Sequence, residues 1–413
     1  MVLIYDLGLK CYYFAIWIAS LFNRKAAQWI KGRKTAKEYI LKQLETDKPV
    51  IWMHCASLGE FEQGRPIIEA IRTQYPQFQI LLTFFSPSGY EIRKNYEHAD
   101  AVAYLPSDSK QHADWLVNNL PLKLAIFVKY DLWYHYLNAL QKAEIPSILV
   151  AAFFRKDQFY FKSYGRFMLE KIKGLSTIYV QKSSVKSLLE AHGITQVVSA
   201  GDPRVDRVFT ICRKAKKYPI VEAFVGQRKV LIAGSTWPED QAILLPFLNK
   251  HPDKFKYIIA PHEIGEQQLK VLENGLTISS IRYSKAQTNQ LDAINVLIID
   301  NIGMLASFYQ YATVVYIGGG FRTGLHNTLE PAAFGVPILF GPKYQKFVEA
   351  DALVNSRGAF VVRSLEELEQ ELNELSDESI CKQAGVITAS YILENKGATE
   401  KIMADVASYL RID

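Results

Sequence analysis

The chain has 413 residues, of which 49% are hydrophobic and 22% charged, and its formal net charge is +6 at pH 7. This length allows two domains with separate cores, and the composition is that of an ordinary globular protein, which excludes a disordered chain and a protein with several membrane spans. The charge is too mild to indicate nucleic-acid binding. The cysteines are widely spaced without a CxxC pair, which indicates neither a zinc site nor a disulfide framework and favours reduced cytosolic thiols: Cys11, Cys55, Cys212 and Cys381.

The first 40 residues combine an apolar segment with a basic one. The uninterrupted apolar run covers residues 11–22, because Asp6 and Lys10 interrupt what precedes it. This is shorter than the roughly 18 to 20 apolar residues that span a bilayer. We therefore predict a membrane anchor over residues 1–40, monotopic or a single N-terminal helix, with a cleaved signal peptide and a buried core helix as the alternatives. Basic residues that would lie against anionic headgroups follow at once: Arg24, Lys25, Lys31, Arg33, Lys34 and Lys37.

From Lys48 onward, apolar runs alternate with segments of helical spacing, which predicts an α/β fold with a parallel sheet covered on both faces. We expect the first Rossmann-like domain over residues 41–208. In an open parallel sheet, ligands gather at the carboxyl ends of the strands, so residues that follow the strands are candidate site residues. The candidate strands of this domain are residues 50–55, 79–84, 101–105, 124–128, 147–152, 177–180 and 197–200.

Glu60 is the first candidate, because it follows the first strand and a glycine, Gly59, where a carboxylate can face a cleft. A general base that removes a proton from a hydroxyl group needs such a position. The alternative is a surface glutamate that stabilises a helix N-terminus.

Charged residues also follow the fourth and fifth strands. Lys129 could contact a phosphate or a carboxylate, and Arg155 could bind an anionic substrate group, while Asp131 lies between them in sequence. A solvated lysine and a structural ion pair are the alternatives for the two cations.

Residues 209–228 are basic and lack strong periodicity, so we expect a hinge there. The second Rossmann-like domain is expected over residues 229–395, with candidate strands at 229–235, 257–260, 295–300 and 314–317. Residues 396–413 are expected to form a C-terminal helix that could pack back on the first domain.

The most informative segment runs from Thr313 to Pro342, TVVYIGGGFRTGLHNTLEPAAFGVPILFGP. A buried strand leads into Gly318, Gly319 and Gly320, and a short helix follows. A strand that ends in glycines and feeds a helix is a phosphate-binding arrangement, because glycines let backbone N–H groups approach a ligand and the helix N-terminus favours negative charge.

A polar cluster strengthens this interpretation. Glu330 is placed to accept hydrogen bonds from the hydroxyls of a sugar, and His326 and Asn327 precede it. The alternative is a capping box of Asn327 and Glu330, but capping accounts for neither the glycines nor the histidine. Ser235 and Thr236 end the first strand of this domain and could donate to a phosphate, with N-capping as a compatible role. These features favour a nucleotide-sugar site.

The segment GGGFRTGLHNTLEPAAFGVPILFGP resembles the nucleotide-binding segment of the 3-deoxy-D-manno-octulosonic acid (Kdo) transferases, which are GT-B glycosyltransferases. HCASLGEF is similar to the HxxSxGE segment of that family and matches it at His54, Ser57, Gly59 and Glu60. The resemblance covers most of the chain. It implies two Rossmann-like domains facing a cleft, the first for the acceptor and the second for CMP-Kdo, with an N-terminal anchor at the inner membrane.

This resemblance also implies a reaction. Glu60 would take the proton from an acceptor glucosamine hydroxyl, which would attack the anomeric carbon of Kdo in a single inverting displacement. The acceptor would be a lipid A precursor, in lipopolysaccharide biosynthesis on the cytoplasmic face of the inner membrane of a Gram-negative cell. CMP-Kdo is a substrate, so no cofactor is expected. Because the chain has no D-x-D motif, we expect transfer without a metal, with backbone amides near residues 318–320 and the helix near Asn327 stabilising the departing CMP.

Further donor-site residues follow from shorter segments. Ser235 and Thr236 lie in a segment similar to the family's AGSTHP, and His262 lies in an abbreviated form of its PRHPER loop. Gly303 lies in a segment that resembles DTIGEL, whose backbone borders the cytosine. Ser57, Gly59, Lys129, Asp131 and Arg155 are the corresponding candidates for substrate binding in the first domain.

Four positions depart from the family pattern. Lys129 stands where better-known members carry an acidic residue, in an E-T-E-L-W-P pattern, and Trp237 replaces the histidine of AGSTHP. The arginine expected before His262 is missing, and Leu325 stands where many members have a glycine. These are the positions where the roles of family residues transfer least directly.

Two other functions are compatible with the sequence. Another GT-B envelope enzyme, acting on a UDP-sugar, would share the fold, and competition between CMP and UDP would separate it from a Kdo transferase. A non-catalytic, membrane-bound sugar-nucleotide-binding protein would tolerate Glu60→Ala with its binding intact.

Overall fold

The computed structural model describes residues 1–322 and 324–410. The chain divides into two compact units, the first formed by Met1–Asp206 with Gly397–Asp413 and the second by Arg207–Lys396. Within the described residues, each unit contains a seven-stranded sheet in which all neighbouring strands are parallel. The predicted α/β class with two Rossmann-like domains is therefore confirmed.

The first sheet has the strand order β3-β2-β1-β4-β5-β6-β7. Its strands are β1 (Val50–Cys55), β2 (Gln79–Phe84), β3 (Ala101–Tyr104), β4 (Leu122–Val128), β5 (Ser147–Ala152), β6 (Thr177–Val180) and β7 (Val197–Ser199). The first nine helices of the described chain are α1 (Val2–Ala19), α2 (Arg24–Lys34), α3 (Ala36–Gln43), α4 (Leu58–Gln74), α5 (Pro87–Arg93), α6 (Lys110–Asn119), α7 (Tyr134–Lys142), α8 (Arg166–Lys173) and α9 (Ser183–Glu190). Every residue of β1, β2 and β5 is buried, as expected for central parallel strands with helices on both faces.

The second sheet has the order β10-β11-β9-β8-β12-β13-β14. Its strands are β8 (Val230–Thr236), β9 (Lys256–Pro261), β10 (Ser280–Arg282), β11 (Val296–Ile298), β12 (Val314–Ile317), β13 (Ile338–Phe340) and β14 (Ala359–Val361). The remaining helices are α10 (Pro203–Arg213), α11 (Pro219–Val225), α12 (Pro238–Lys250), α13 (Glu266–Asn274), α14 (Leu305–Phe308), α15 (Leu329–Ala333), α16 (Val348–Asn355), α17 (Leu365–Glu374), α18 (Glu378–Asn395) and α19 (Ala398–Tyr409).

The segment 209–228, expected to be a hinge, is largely helical. Helix α10 extends into the start of this segment and ends at Arg213, and helix α11 begins at Pro219. Proline is well suited to the first position of a helix, because its φ is already helical and its missing N–H would have no partner there. Pro219 thus begins a helix inside the segment expected to be a hinge.

The last helix, α19, packs on the first unit. Ile402 and Val406 are buried in the same core cluster as Phe61 of α4. The hydroxyl of Tyr179 donates to the Asp405 carboxylate at 2.6 Å. The two stretches of the first unit, distant in sequence, therefore share one hydrophobic core.

Helix α1 has two different faces. It is apolar enough by length and composition to cross a membrane, with a mean hydropathy of 1.4, and none of its residues is buried. Three polar side chains of α1 nevertheless contact the first unit. Tyr5 Oη donates to Asp108 at 2.7 Å, Asp6 Oδ1 lies 2.6 Å from His135 Nε2, and Tyr13 Oη accepts from the Asp108 backbone N–H. The exposed apolar residues of α1 and the turn after it include Leu3, Ile4, Leu7, Phe14, Trp17, Ile18, Leu21 and Phe22.

Candidate active site

Glu60 lies in the first turn of α4, directly after β1, with Ser57 as the N-cap residue. Its side chain is buried, and its Oε2 accepts a hydrogen bond from the backbone N–H of Ala56 at 2.6 Å. Burial raises the pKa of Glu60 to about 7, and the negative charge of Asp131 adds to this, while the Ala56 N–H and the Lys129 charge oppose it. A carboxyl group with a pKa near 7 can both accept and release a proton at neutral pH, as a general base requires.

Asp131 belongs to a buried polar network beside Glu60. Its Oδ2 lies 2.6 Å from His54 Nε2 and accepts from Trp133 Nε1 at 3.2 Å. The other ring nitrogen of His54 lies 2.8 Å from the Thr83 hydroxyl. The structure therefore brings Asp131 together with His54, which the sequence had marked only as part of a motif.

The other candidates of the first unit differ in exposure. Lys129 follows β4 with φ of 68°, a left-handed conformation that costs energy for a residue with a side chain. Arg155 is more than half exposed and pairs with Asp157, its Nε 3.4 Å from Oδ1. A side chain at Gly59 would meet only the Ser57 hydroxyl oxygen, at 3.9 Å, so packing inside the protein does not require glycine there.

The three glycines after β12 are required by packing. A Cβ at Gly318 would collide with the Ser235 carbonyl group, and one at Gly320 would collide with the backbone of Gly341. Gly319 has φ of 93°, which favours glycine. Close approach of neighbouring backbones therefore accounts for the glycine run, whether or not a phosphate binds beside it.

Two of the amides expected to hold the departing CMP have partners inside the protein. The N–H of Gly318 donates to the Gly234 carbonyl oxygen at 2.9 Å. The N–H of Gly319 donates to Asp240 Oδ2, also at 2.9 Å. The sequence interpretation that these two N–H groups face a phosphate is wrong, because both are used to hold the loop against β8 and α12.

Asp240 is a residue that the sequence analysis missed. It is completely buried, and its carboxylate accepts from the Trp237 backbone N–H, the Gly319 N–H and the Tyr316 hydroxyl at 2.8 to 2.9 Å. It thereby ties the start of α12 to the end of β12 and to the glycine loop. The available signal was its position three residues after Trp237, the position of the acidic residue in a capping box.

Three aromatic rings meet at the carboxyl ends of β8, β9 and β12. Trp237 Nε1 donates to His326 Nε2 at 3.0 Å, and their rings are nearly coplanar at 13°. The His262 ring stacks on Trp237 at 4.3 Å and on His326 at 4.6 Å. The Arg322 guanidinium carbon lies 4.3 Å from the Trp237 ring centroid. We call Trp237, His262 and His326 the aromatic platform.

His326 is held in its neutral form. Burial, and then the nearby His262, lower the pKa of His326 to about 4. Since its Nε2 accepts from Trp237, the proton of the neutral ring is on Nδ1, which is a hydrogen-bond donor. Trp237 thus supplies an N–H that fixes the tautomer of a neighbouring histidine.

The remaining predicted donor-site residues lie in strand β8, in helix α15 and in loops of the second unit. Asn327 Oδ1 accepts from the Leu329 backbone N–H at 3.1 Å, and Thr328 takes the N-cap position of α15. Gly303 has φ of 93°, which favours glycine without any clash. The described residues include no group of three or more His, Cys, Asp or Glu side chains that could hold a metal ion. Ser235 is partly exposed, whereas Thr236 is buried.

A protein family and several named relatives that match this chain carry the same transferase name. The family described as 3-Deoxy-D-manno-octulosonic-acid transferase (kdotransferase) matches residues 30–207. Proteins named 3-deoxy-D-manno-octulosonic acid transferase from Rickettsia bellii and Aquifex aeolicus are 27% and 26% identical to this chain. The first alignment covers 89% of this chain and 88% of the relative, and the second covers 81% and 88%.

A solved structure supports the fold. UDP-GlcNAc 2-epimerase from Neisseria meningitidis, bound to UDP-GlcNAc, has a TM-score of 0.61 at 14% identity and covers 87% of this chain and 100% of its own. At this identity the likeness shows the architecture alone. It confirms the predicted GT-B type of α/β fold.

Replacing Glu60 should change how stability depends on pH. The pKa of Glu60 is about 7 in the folded chain against an ordinary 4.5, so the folded state holds a proton that the unfolded state releases, and stability falls as the pH rises from about 4.5 to about 7. Glu60→Gln removes this loss. We therefore expect the free energy of unfolding of Glu60→Gln, relative to the wild type, to increase by up to about 3 kcal/mol across that pH range. Denaturant unfolding followed by tryptophan fluorescence measures it, because five of the six tryptophans lie in the first unit.

The exposed Glu97→Gln is the control for this measurement, with no pH-dependent gain expected. An equal pH dependence of Glu60→Gln and wild type would contradict the raised pKa of Glu60.

Removing the Asp240 carboxylate should destabilise the second unit. Asp240→Ala leaves three donors without their acceptor, and we expect a loss of about 2 to 3 kcal/mol in the free energy of unfolding together with faster hydrogen exchange at the Gly319 amide. Tyr316→Phe, which removes one donor, should cost about 1 kcal/mol. The neighbouring half-exposed Glu239→Ala is the control, and an Asp240→Ala protein as stable as this control would refute the role of Asp240.

Proposed function

We propose that this chain transfers Kdo from CMP-Kdo to a lipid A precursor, with inversion at the anomeric carbon, because it matches the Kdo transferase family over residues 30–207 and is similar to proteins named Kdo transferase over most of its length. Kdo transfer is the activity given by the family description and by the names of the relatives. The observation that carries the proposal of a base-assisted, inverting transfer is Glu60, a buried carboxyl group with a pKa of about 7 at the carboxyl end of β1.

In the proposed reaction, Glu60 accepts the proton of an acceptor hydroxyl as that oxygen forms a bond to the anomeric carbon of Kdo. The bond between that carbon and the phosphate oxygen of CMP breaks, and CMP leaves with the electron pair. Inversion follows from this single displacement. A Cβ at Gly59 would meet only the Ser57 hydroxyl oxygen, at 3.9 Å, so there is open space beside this residue. This space supports the approach of a substrate to Glu60.

The second unit would hold the donor. The Nδ1–H of neutral His326, the exposed ring of His262 and the partly exposed Ser235 are the candidate contacts to CMP-Kdo, since the N–H groups of Gly318 and Gly319 are already used. Arg322, beside the aromatic platform, adds a positive charge that favours an anionic ligand. CMP-Kdo is consumed as a substrate, and neither a cofactor nor a metal is part of the proposal.

We further propose that α1 and the basic helix α2 hold the protein at the cytoplasmic face of the inner membrane. The exposed apolar residues of α1 would enter the interface while Tyr5 and Asp6 keep the helix against the first unit. Basic residues of α2 would lie near anionic headgroups. A helix held in this way lies along the membrane surface and does not cross it.

Incubation of the purified protein with CMP-Kdo and a tetraacyl lipid A precursor tests the transfer. We expect a lipid product heavier by whole Kdo units, observed by mass spectrometry, and its loss in Glu60→Ala by at least about two orders of magnitude, as expected for a general base. Binding of CMP without any product would retain the nucleotide site and exclude this acceptor. Displacement of the bound nucleotide by UDP and not by CMP would instead favour a UDP-sugar enzyme.

Flotation with vesicles of phosphatidylethanolamine and phosphatidylglycerol tests the membrane proposal. The triple variant Leu7→Ser, Phe14→Ser, Trp17→Ser should lose most vesicle binding, because it removes exposed apolar side chains of α1. The matched control is Val271→Ser, Val386→Ser, Leu393→Ser, which removes exposed apolar side chains of the second unit. Equal binding of both variants would exclude α1 as the attachment.

A further inference from the structure

Both ring nitrogens of His54 have hydrogen-bond partners within the first unit. The Thr83 hydroxyl oxygen accepts from Trp52 Nε1 at 2.8 Å and lies 2.8 Å from His54 Nδ1. His54 Nε2 lies 2.6 Å from Asp131 Oδ2, so an N–H on this nitrogen donates to the carboxylate, and Trp133 Nε1, 3.3 Å from Nε2, donates to the same oxygen. His54 is completely buried, which prevents its ring from finding other partners in water.

Asp131 thus receives two N–H donors on one oxygen, from His54 and from Trp133 Nε1 at 3.2 Å. The two donors hold the Asp131 carboxylate in place. The Asp131 side chain is only 17% exposed, so its charge is weakly screened by water. The network holds a fixed negative charge at the end of β4, next to the end of β1.

We propose that Asp131, held by His54 and Trp133, is a positioning residue for the reaction, whose fixed charge keeps Glu60 a competent base despite the opposing charge of Lys129. This inference rests on the proposed function, in which Glu60 is the base. The connection is short in the fold, because His54, which binds Asp131, is two residues from Ala56, whose N–H binds Glu60.

The charged and titratable groups around Glu60 interact with it electrostatically. Asp131 and Lys129 are the charged groups, and they act on the pKa of Glu60 in opposite directions, after the effect of burial. Tyr130 and Cys55 are the titratable neutral neighbours, and burial, followed by the charge of Glu60, raises the pKa of each. Asp131 is the negative charge that offsets Lys129.

The direction of the effect follows from the charges. Removing the Asp131 charge lowers the pKa of Glu60, since Glu60 can then ionise without a neighbouring anion, while Lys129 continues to favour ionisation. The carboxylate then exists at lower pH but binds a proton less strongly, so it is a weaker base. Removing the Lys129 charge has the opposite effect.

The experiment measures the pKa of Glu60 in the full-length protein without substrate, by infrared titration of carboxylates as the difference between a protein with Glu60 and the same protein carrying Glu60→Gln. In Asp131→Asn and Asp131→Ala we expect the pKa of Glu60 to fall by about one unit. In Lys129→Met we expect it to rise. Asp114→Asn, a surface carboxylate of α6 paired with Lys110, is the control and should leave it unchanged.

The pH profile of Kdo transfer provides the second readout. The acidic limb of kcat/KM should move to lower pH in both Asp131 variants, with a lower rate on the plateau, and to higher pH in Lys129→Met. An unmoved infrared pKa in both Asp131 variants would overturn the inference, and so would a uniform loss of rate with an unmoved limb, which is what a merely structural role would produce. If the wild type forms no Kdo product while the infrared pKa shifts as expected, the proposed function fails and the electrostatic role of Asp131 stands.

Discussion

A buried carboxylate needs hydrogen-bond donors from the protein. Each of the two units contains such a carboxylate, and the two occupy equivalent positions after a central strand. Glu60 and Asp240 both lie in the first turn of the helix that follows a central strand, and both accept from a backbone N–H at the end of that strand. Their environments then differ. Asp240 receives three donors and holds backbone segments together, whereas Glu60 lies beside another carboxylate and keeps a pKa of about 7. One position in the fold thus serves structure in one unit and, in the proposed reaction, chemistry in the other.

Backbone strain also occurs at the carboxyl ends of several strands. Among the described residues other than glycine, Lys129, Ala151 and Ser235 have positive φ at or just after the ends of β4, β5 and β8. Such conformations persist only where the surrounding structure holds them, and they are typical of binding sites. The close approach of Gly318 to Ser235 shows one way in which the fold holds the chain there.

Helix α1 shows how a polar residue in an apolar run can have a structural purpose. Asp6 shortens the apolar run in the sequence, but in the structure it lies beside His135, and Tyr5 and Tyr13 contact Asp108 on the same side. The apolar residues face outward and are exposed. The helix therefore combines a polar attachment to the protein with an apolar surface. Its mean hydropathy averages these two faces and does not distinguish them.

The sequence alone determined the two parallel sheets and most strand positions, because a strand buried on both faces is a continuous apolar run, as in β1 and β2. It also identified Glu60, since a short motif surrounds it. The strands β10, β13 and β14, of three residues each, were not among the candidate strands. Only the tertiary structure decided that Asp131 binds His54, 77 residues away, and that Gly319 binds Asp240 rather than a phosphate. Hydrogen-bond partners of this kind meet through sheet topology, and nothing in the local sequence of either partner specifies the other.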